Sequence, residues 1–317
     1  MMPIDRTPVT FESEGVRCAA TLFAPDAHAA AVPCVVLANG FSGTMDWIVP
    51  WFAERFAAAG LAALVFDYRH LGRSDGEPRQ IIDVRRQRAD LRAAIAFARR
   101  QPGIDPERIA LWGTSLGGSH VTTVAAEDPR IAALILNMPA LDAIAGGNAD
   151  AKRQHVHASR ATMVRVTARL LAAAVRDAAR GALGWPPLYL AVYGAPGEAF
   201  FTDPDLAPRF ARVAAESPTW QNRVAARFLL GVPRYREGTM ERINAPILVC
   251  LAERDIEVSE AYVRSKVEKA RRSEVRVYPG GHFDLYHGEA FEQLVADQTA
   301  FLRAHLSPMQ PTVDPRS

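Results

Sequence analysis

Cysteine is scarce in this sequence, and net charge is almost absent. Only Cys18, Cys34 and Cys250 occur among the 317 residues, each within an apolar stretch and none in a CxxC pair. This spacing suggests neither a disulfide framework nor a thiolate metal site, so we expect three buried free thiols in a reducing compartment. The 37 basic and 35 acidic side chains leave a net charge of +2, which gives no electrostatic reason to expect a nucleic-acid partner.

Long apolar runs are also lacking. No segment approaches the roughly 18 consecutive apolar residues of a membrane-spanning helix, and arginines interrupt the helical stretch at residues 161–175. The polar first residues contain no apolar core of a signal peptide. His155 and His157 do not form a metal site, because residues two apart on a predicted helix point to different faces. We therefore expect a cytoplasmic chain with no membrane span, no metal and no cofactor.

The sequence does contain a regular alternation of short apolar runs and helical patterns. Runs such as 34–38 and 109–112 are typical of strands that are buried on both faces. Their alternation with helices predicts an α/β fold with a doubly wound, mostly parallel sheet. The alternation is interrupted in the middle of the chain. The sequence therefore predicts a core of residues 1–139 and 241–317, with a mainly helical cap of residues 140–240 inserted into it.

The stretch IALWGTSLGG at residues 109–118 has the pattern of a nucleophile elbow. An apolar strand leads into Ser115, which lies between Gly113 and Gly117, and a helical pattern follows. The glycines let the strand and the helix approach each other closely, and the start of the helix favours developing negative charge. We therefore predict that Ser115 is a nucleophile. The alternative interpretation is a turn whose small residues serve packing alone, and such a turn would need no catalytic partners.

A serine nucleophile requires a histidine base that a carboxylate orients. Among eight histidines, His282 stands in a glycine loop after the last predicted strand, at the end of the sheet where active sites of parallel sheets lie. His287 is the competing base, although a helical pattern begins there. Asp255 follows the penultimate strand and is the predicted acid, with Glu253 as the near alternative. The order Ser, Asp, His matches the order expected with this elbow.

The oxyanion of an acyl-transfer reaction needs two backbone donors. The N–H of Leu116, directly after the nucleophile, is one predicted donor. The second predicted donor is the N–H of Phe41, in the loop of residues 39–43 after an earlier strand. Asp67 and Asp75 follow the next strand, and we interpret them as loop-anchoring residues.

Five motifs together resemble the α/β-hydrolase superfamily, and the resemblance covers most of the chain. It is strongest to the branch of dienelactone hydrolases, X-Pro peptidase-like hydrolases and polyketide-transferring or thioester-cleaving hydrolases. It implies the α/β-hydrolase fold and a serine hydrolase that cleaves a carboxylic ester or thioester through an acyl-enzyme. One departure is Asn39, where many members have histidine, but the donor there is a backbone group. The motifs are NGFSG (39–43), DYRHLGRSDG (67–76), GTSLGG (113–118), LAERD (251–255) and GGHFDLY (280–286).

The predicted cap determines the substrate, a small-molecule acyl ester or thioester. Trp185, Tyr189 and Trp220 are the main candidates for residues of an apolar acyl pocket. For each of them, packing within the cap is the alternative. Further aromatic or apolar candidates are Leu188, Tyr193, Phe200 and Phe201. An arginine series on a helical pattern predicts a solvated face, or alternatively a surface that attracts an anionic CoA or carrier-protein thioester. The series comprises Arg153, Arg160, Arg165, Arg169, Arg176 and Arg180.

Two other functional classes remain open at this stage. The first is an acyltransferase or polyketide-transferring enzyme, in which the acyl group passes to an acceptor other than water. The second is a non-catalytic binding protein of the same fold, although such proteins usually lack part of the triad. A peptidase is less favoured, since no additional peptide-anchoring domain is visible. A homo-oligomer is also left open.

Overall fold

A computed structural model describes residues 4–25, 31–155, 159–203 and 205–307. Its main feature is a sheet of eight strands in the order β1-β2-β4-β3-β5-β6-β10-β11. The first two strands pair antiparallel, β2 is also antiparallel to β4, and all further neighbours are parallel. The strands are β1 (Ile4–Ser13), β2 (Val16–Pro25), β3 (Val32–Ala38), β4 (Ala62–Phe66), β5 (Ile104–Thr114), β6 (Ile131–Asn137), β10 (Ile247–Ala252) and β11 (Ser273–Tyr278).

Helices cover both faces of this sheet, as the alternating sequence pattern predicts. On β3, Val35 and Leu37 point to one core and Val36 to the other, because side chains alternate along a strand. The first core contains side chains of α1 and α8, and the second contains those of α2, α3 and α7. The doubly wound α/β-hydrolase fold is therefore confirmed. These helices are α1 (Val49–Ala58), α2 (Val84–Ala98), α3 (Leu116–Ala125), α7 (Glu260–Val267) and α8 (Gly288–Leu306).

The described part of residues 140–240 contributes no strand to the main sheet. It contains the helices α4 (Ala149–His155), α5 (Arg160–Ala182) and α6 (Leu206–Glu216). It also contains a three-stranded sheet in the order β8-β7-β9, which the sequence did not predict. The sequence of β7, YLAVY, is apolar throughout, but two prolines lie just before it and only Leu190 and Val192 are buried. The three strands are β7 (Tyr189–Tyr193), β8 (Ala199–Phe201) and β9 (Val224–Ala225).

The three cysteines lie in the interior as free thiols. Cys18, Cys34 and Cys250 are each fully buried, on β2, β3 and β10. Burial raises the pKa of each thiol to about 12, since a thiolate would lose its hydration there. These cysteines are therefore packing residues, as the sequence predicts. Among the described residues, no helix is both long and apolar enough to cross a membrane.

Candidate active site

Ser115 lies in the sharp turn between β5 and α3. Its backbone has φ 50° and ψ −118°, a conformation that non-glycine residues rarely adopt. The flanking glycines are required by close packing of backbone atoms. A Cβ atom at Gly113 would lie 2.5 Å from the carbonyl oxygen of Gly117, and one at Gly117 would lie 2.2 Å from that of Ala38. The turn therefore has the strained backbone of a nucleophile elbow.

His282 and Asp255 form a buried hydrogen-bonded pair. The distance from His282 Nδ1 to Asp255 Oδ2 is 2.8 Å, and both residues are less than one-tenth exposed. The other carboxylate oxygen accepts the N–H groups of Glu257 and Val258 at 2.8 and 2.9 Å. A carboxylate can only accept here, so Nδ1 carries the proton and Nε2 is the basic nitrogen of the neutral ring.

Ser115 and His282 line the same small cavity, of about 30 Å³. The cavity lies at the carboxyl ends of the parallel strands, because Ser115 follows β5 and His282 follows β11. Its remaining walls are the loop that begins at Asn39 and a group of aromatic rings. The rings are those of Phe41, Trp47, Phe201, Phe210, Phe283 and Tyr286.

The two alternative residues lie elsewhere. Glu253 is exposed and pairs with the neighbouring Arg254 at 3.2 Å. His287 is exposed at the N-terminal end of α8, where burial of part of its ring lowers its pKa. Neither residue lines the Ser115 cavity or contacts the His282–Asp255 pair in any described hydrogen bond.

Of the two predicted oxyanion donors, Phe41 lines this cavity and Leu116 directly follows Ser115. Leu116 is the first residue of α3, so its N–H has no acceptor within the helix. The loop of Phe41 packs against the elbow, and a Cβ atom at Gly40 would lie only 3.3 Å from the Ser115 Cβ. Among the described hydrogen bonds, none is donated by the N–H of Phe41 or Leu116. Both groups are therefore available to a negatively charged oxygen.

Asp67 holds in position the loop of residues 39–43, which contains Phe41 and is called the oxyanion loop below. Its two carboxylate oxygens accept the N–H of Met45 at 2.6 Å and that of Arg73 at 2.7 Å. Burial is the dominant influence on this carboxyl and raises its pKa to about 7, although both N–H donors act in the opposite direction. Asn39 adds a second restraint, since its Nδ2 donates to the Thr44 carbonyl at 3.0 Å. The loop-anchoring interpretation of Asp67 agrees with these contacts.

A buried polar network supports the elbow from below, and the sequence analysis missed it. The Ser115 N–H donates to the Asn137 carbonyl at 2.9 Å. The hydroxyl groups of Thr114 and Tyr286 are 2.6 Å apart, and burial raises the pKa of the tyrosine. Gln298 on α8 completes the network by accepting from Trp112 Nε1 at 2.9 Å. Tyr286 ends the GGHFDLY motif, four residues after His282. This proximity in sequence was the signal that could have indicated its role.

The three cap residues predicted to bind substrate do not line the Ser115 cavity. Trp185 is 56% exposed beneath the Arg180 guanidinium. The Tyr189 hydroxyl donates to the Arg79 carbonyl at 3.0 Å. Trp220 lies one layer behind the cavity, where its ring packs on Trp47 at 4.5 Å. Aromatic content alone could not distinguish these residues from Phe201 and Phe210, because the choice depends on how the cap folds back over the core.

The predicted arginine series forms the outer surface of α5. Arg165, Arg169 and Arg176 are exposed, and Arg169 pairs with Glu198 at 3.1 Å. This arrangement agrees with a solvated face and places the series away from the Ser115 cavity. The side chain of Arg153 and all of His157 lie outside the described residues. Within the described part of the chain, no group of three or more His, Cys, Asp or Glu side chains could hold a metal ion.

A second, wider cavity of about 220 Å³ adjoins the first. Phe210 of α6 and Phe283 of the histidine loop line both cavities and form the boundary between them. The wall of the wider cavity is mostly apolar and includes Trp51 and Val213. Arg209 of α6 forms an ion pair with Asp284, which joins the cap to the histidine loop. An apolar chain attached at Ser115 would therefore have space on the far side of Phe210.

The chain is similar to several known proteins. The chain is 37% identical over 303 residues to the quorum-quenching protein AidA of Acinetobacter baumannii, covering 95% of this chain and 94% of that protein. It is 38% identical over 130 residues to the thiohydrolase aneE of Aspergillus aculeatus, covering 41% of this chain and 40% of that protein.

Solved structures show the same fold. The crystal structure of the α/β hydrolase GrgF from Penicillium matches with a TM-score of 0.76 and 26% identity, covering 96% of this chain and all of that one. A curated sequence of grgF is named a polyketide transferase. The Hydrolase_4 model, described as serine aminopeptidase S33, matches residues 29–293. The chain therefore belongs to the Hydrolase_4 (serine aminopeptidase, S33) family of α/β-hydrolases.

Proposed function

We propose that this hydrolase is a serine enzyme that cleaves a carboxylic ester or thioester through an acyl-enzyme. The observation that carries the proposal is the buried pairing of His282 with Asp255, on the same cavity as the strained Ser115. A buried histidine–carboxylate pair beside a half-buried turn serine is the arrangement that activates a hydroxyl group.

The proposed reaction uses these groups in two steps. The Ser115 oxygen attacks the substrate carbonyl while the Nε2 atom of His282 accepts the hydroxyl proton. The carboxylate of Asp255 stabilises the imidazolium cation, and the N–H groups of Phe41 and Leu116 bind the oxyanion. The imidazolium then protonates the leaving alcohol or thiol. In the second step, water attacks the acyl-enzyme as His282 accepts its proton; the bond to the Ser115 oxygen then breaks, His282 returns the proton to that oxygen, and the acid is released.

The apolar cavities favour an acyl group without charge. Aromatic rings enclose the Ser115 cavity, and the wider apolar cavity continues beyond Phe210. No carboxylate lines the Ser115 cavity among the described residues, so an amino-terminal cation would have no counter-charge there. For this reason we favour an ester or thioester over an aminopeptidase substrate, despite the description of the family.

Acyl transfer is the second candidate function. The Ser115 cavity of about 30 Å³ has room for roughly one or two water molecules. Restricted access of water would extend the lifetime of an acyl-enzyme and favour a bound alcohol, amine or thiol as acceptor. Product analysis with competing acceptors separates the two functions, because a hydrolase yields the free acid whereas a transferase yields the acyl-acceptor product.

The test is replacement of the nucleophile. Ser115→Ala should lower kcat by about 10⁴-fold or more on activated esters and thioesters while the melting temperature stays close to that of the wild type. Ser265→Ala is the matched control, because Ser265 is exposed on α7 and should retain full activity. Near-normal turnover by Ser115→Ala over a panel of acyl chain lengths would refute the proposal.

A further inference from the structure

A basic groove lies on the side of the molecule formed by α2, α3 and the end of the 140–240 segment. It consists of two adjoining cavities of about 460 and 190 Å³. Arg88, Thr123 and Glu127 line both cavities, so the two form one continuous surface. None of the predicted catalytic residues lines either cavity.

The groove carries a large excess of positive charge. Its acidic lining residues are Asp83 and Glu127. Three of its arginines have carboxylate partners, since Arg92 pairs with Glu127, Arg227 with Asp177 and Arg234 with Asp142. Four more have no carboxylate partner among the described ion pairs. They are Arg85, Arg88, Arg236 and Arg242.

Arg88 is the most unusual of these four. Its Nε atom is buried and has no hydrogen-bond partner in the described part of the chain. Its Nη2 atom donates to the neutral Ser119 hydroxyl at 3.2 Å. Burial lowers the pKa of this guanidinium, because a charge removed from water without a counter-ion is destabilised. A guanidinium in this setting gains more from a bound anion than a fully hydrated one would.

The groove is close to the candidate active site. Ser119 lies one turn after Ser115 on α3, which is roughly 6 Å along the helix axis. Phe228 lines the larger cavity, and its ring contacts Phe41 of the oxyanion loop at 4.9 Å between centroids. A single aromatic layer therefore separates the groove from the Ser115 cavity.

We propose that this groove binds a phosphate or diphosphate group. Guanidinium groups bind phosphate oxygens through paired, charge-assisted hydrogen bonds, and the unpaired arginines supply several such forks around one cavity. The phosphate has two conceivable sources, which share this chemistry. It belongs either to the leaving group of a CoA-type thioester or to a separate phosphorylated ligand. The first source rests on the proposed acyl-transfer chemistry, whereas the second does not.

Binding is tested with inorganic pyrophosphate by titration calorimetry at constant ionic strength, using the full chain and its Ser115→Ala variant. We expect saturable binding by both proteins, so that the result does not depend on catalysis. Arg88→Gln should weaken binding about tenfold, the effect of one lost hydrogen bond to a charged group. Arg236→Gln provides the same test at an exposed position, where the substitution does not disturb folding.

The matched control is the double variant Arg160→Gln/Arg165→Gln, which removes two exposed charges from the first turns of α5, roughly 18 Å or more along the helix from the Asp177 that pairs with Arg227 of the groove. It should bind pyrophosphate as the wild type does. Absence of saturable binding, or an equal loss in the α5 variant, would overturn the proposal and indicate only general surface charge. Retained affinity in both groove variants would overturn it as well.

The source of the phosphate is identified by comparing an acyl-CoA with the same acyl group on N-acetylcysteamine, which lacks phosphates. If the phosphate belongs to the leaving group, Arg88→Gln lowers kcat/KM about tenfold for acyl-CoA and leaves it unchanged for the uncharged thioester. If both substrates respond equally while pyrophosphate still binds, the ligand is a separate phosphorylated molecule. If neither thioester is turned over, the thioester form of the proposed function fails, while the pyrophosphate result stands independently.

Discussion

Asp255 uses its two carboxylate oxygens for different purposes. One oxygen faces the Nδ1 atom of His282, and the other is held by the N–H groups of Glu257 and Val258. The backbone donors therefore hold the carboxylate in place independently of the histidine. The result is a ring with one defined orientation and tautomer, which is what a general base requires.

Asp255→Asn should therefore abolish most activity without unfolding the protein. The amide NH₂ group would face the Nδ1 proton and favour the wrong tautomer, so we expect kcat to fall by about 10²- to 10⁴-fold. The measurement is steady-state kinetics on an activated ester. Glu253→Gln is the matched control and should stay within about twofold of the wild type, since Glu253 contacts only Arg254 at the surface. A larger loss in the control than in Asp255→Asn would reverse the assignment of the acid.

At the scale of single residues, the sequence indicated the elbow, the acid and the histidine because chemistry restricts them to particular loop positions. Gly113 and Gly117 could be interpreted in advance, since no larger side chain fits between strand and helix. The roles of Tyr286 and Gln298 could not be predicted, because they depend on contacts with Thr114 and Trp112, which are distant in sequence.

At the scale of elements, the oxyanion loop depends on a carboxylate from the neighbouring loop. The Asp67 carboxylate accepts the N–H groups of residues 45 and 73. It therefore links the chain just after the oxyanion loop to the loop that follows β4. Since the pKa of Asp67 is raised to about 7, its folded form keeps a proton that the unfolded chain loses near pH 4. The stability from this group is thus fully present below about pH 4 and is lost as pH rises towards 7.

Asp67→Asn removes this titration. An amide can accept one of the two N–H bonds but not both, so the variant should be less stable by about 1–3 kcal/mol at pH 5. The gap to the wild type should narrow between pH 5 and 8, by up to about 1.4 kcal/mol per pH unit through the titration. Urea unfolding at both pH values measures this. A gap that stays constant between pH 5 and 8 would show that the carboxyl is ionised throughout.

The sequence predicted the strands that are buried on both faces, such as β3 and β4, and also the edge strand β11, which contains a short apolar pattern. The edge strand β1 was missed because most of its side chains are exposed and polar. In the 140–240 segment β7 was missed although its sequence YLAVY is apolar, because it closely follows two prolines and its partner strands are only two and three residues long. Apolar runs therefore indicate strands only where the neighbouring residues also fit the pattern.

At the scale of the whole molecule, Asp46 joins the 140–240 segment to the core. Its carboxylate accepts the Thr219 hydroxyl at 2.8 Å, and its carbonyl accepts the Ser217 hydroxyl at 2.6 Å. The core–cap division stays a prediction, and the sequence specified neither the oligomeric state nor the acyl group. They depend on how distant parts of the chain, or separate chains, meet.

Asp46→Ala should loosen this junction. We expect faster hydrogen–deuterium exchange around residues 217–220 and a several-fold rise in KM, because Trp220 would no longer hold Trp47 in place in the cavity wall. Thr299→Ala, at a helix position that bonds only within α8, is the control and should leave both quantities unchanged. Unaltered exchange in Asp46→Ala would show that the junction does not depend on this carboxylate.

The central claim is that Ser115 carries the acyl group during turnover. The most direct measurement is mass spectrometry of the protein after reaction with a fluorophosphonate, followed by cleavage at arginine. The account predicts one adduct on the peptide of residues 109–130, assigned by fragmentation to Ser115 rather than Ser119, and no adduct in Ser115→Ala. An adduct on another residue, or an active and folded enzyme that forms none, would contradict it.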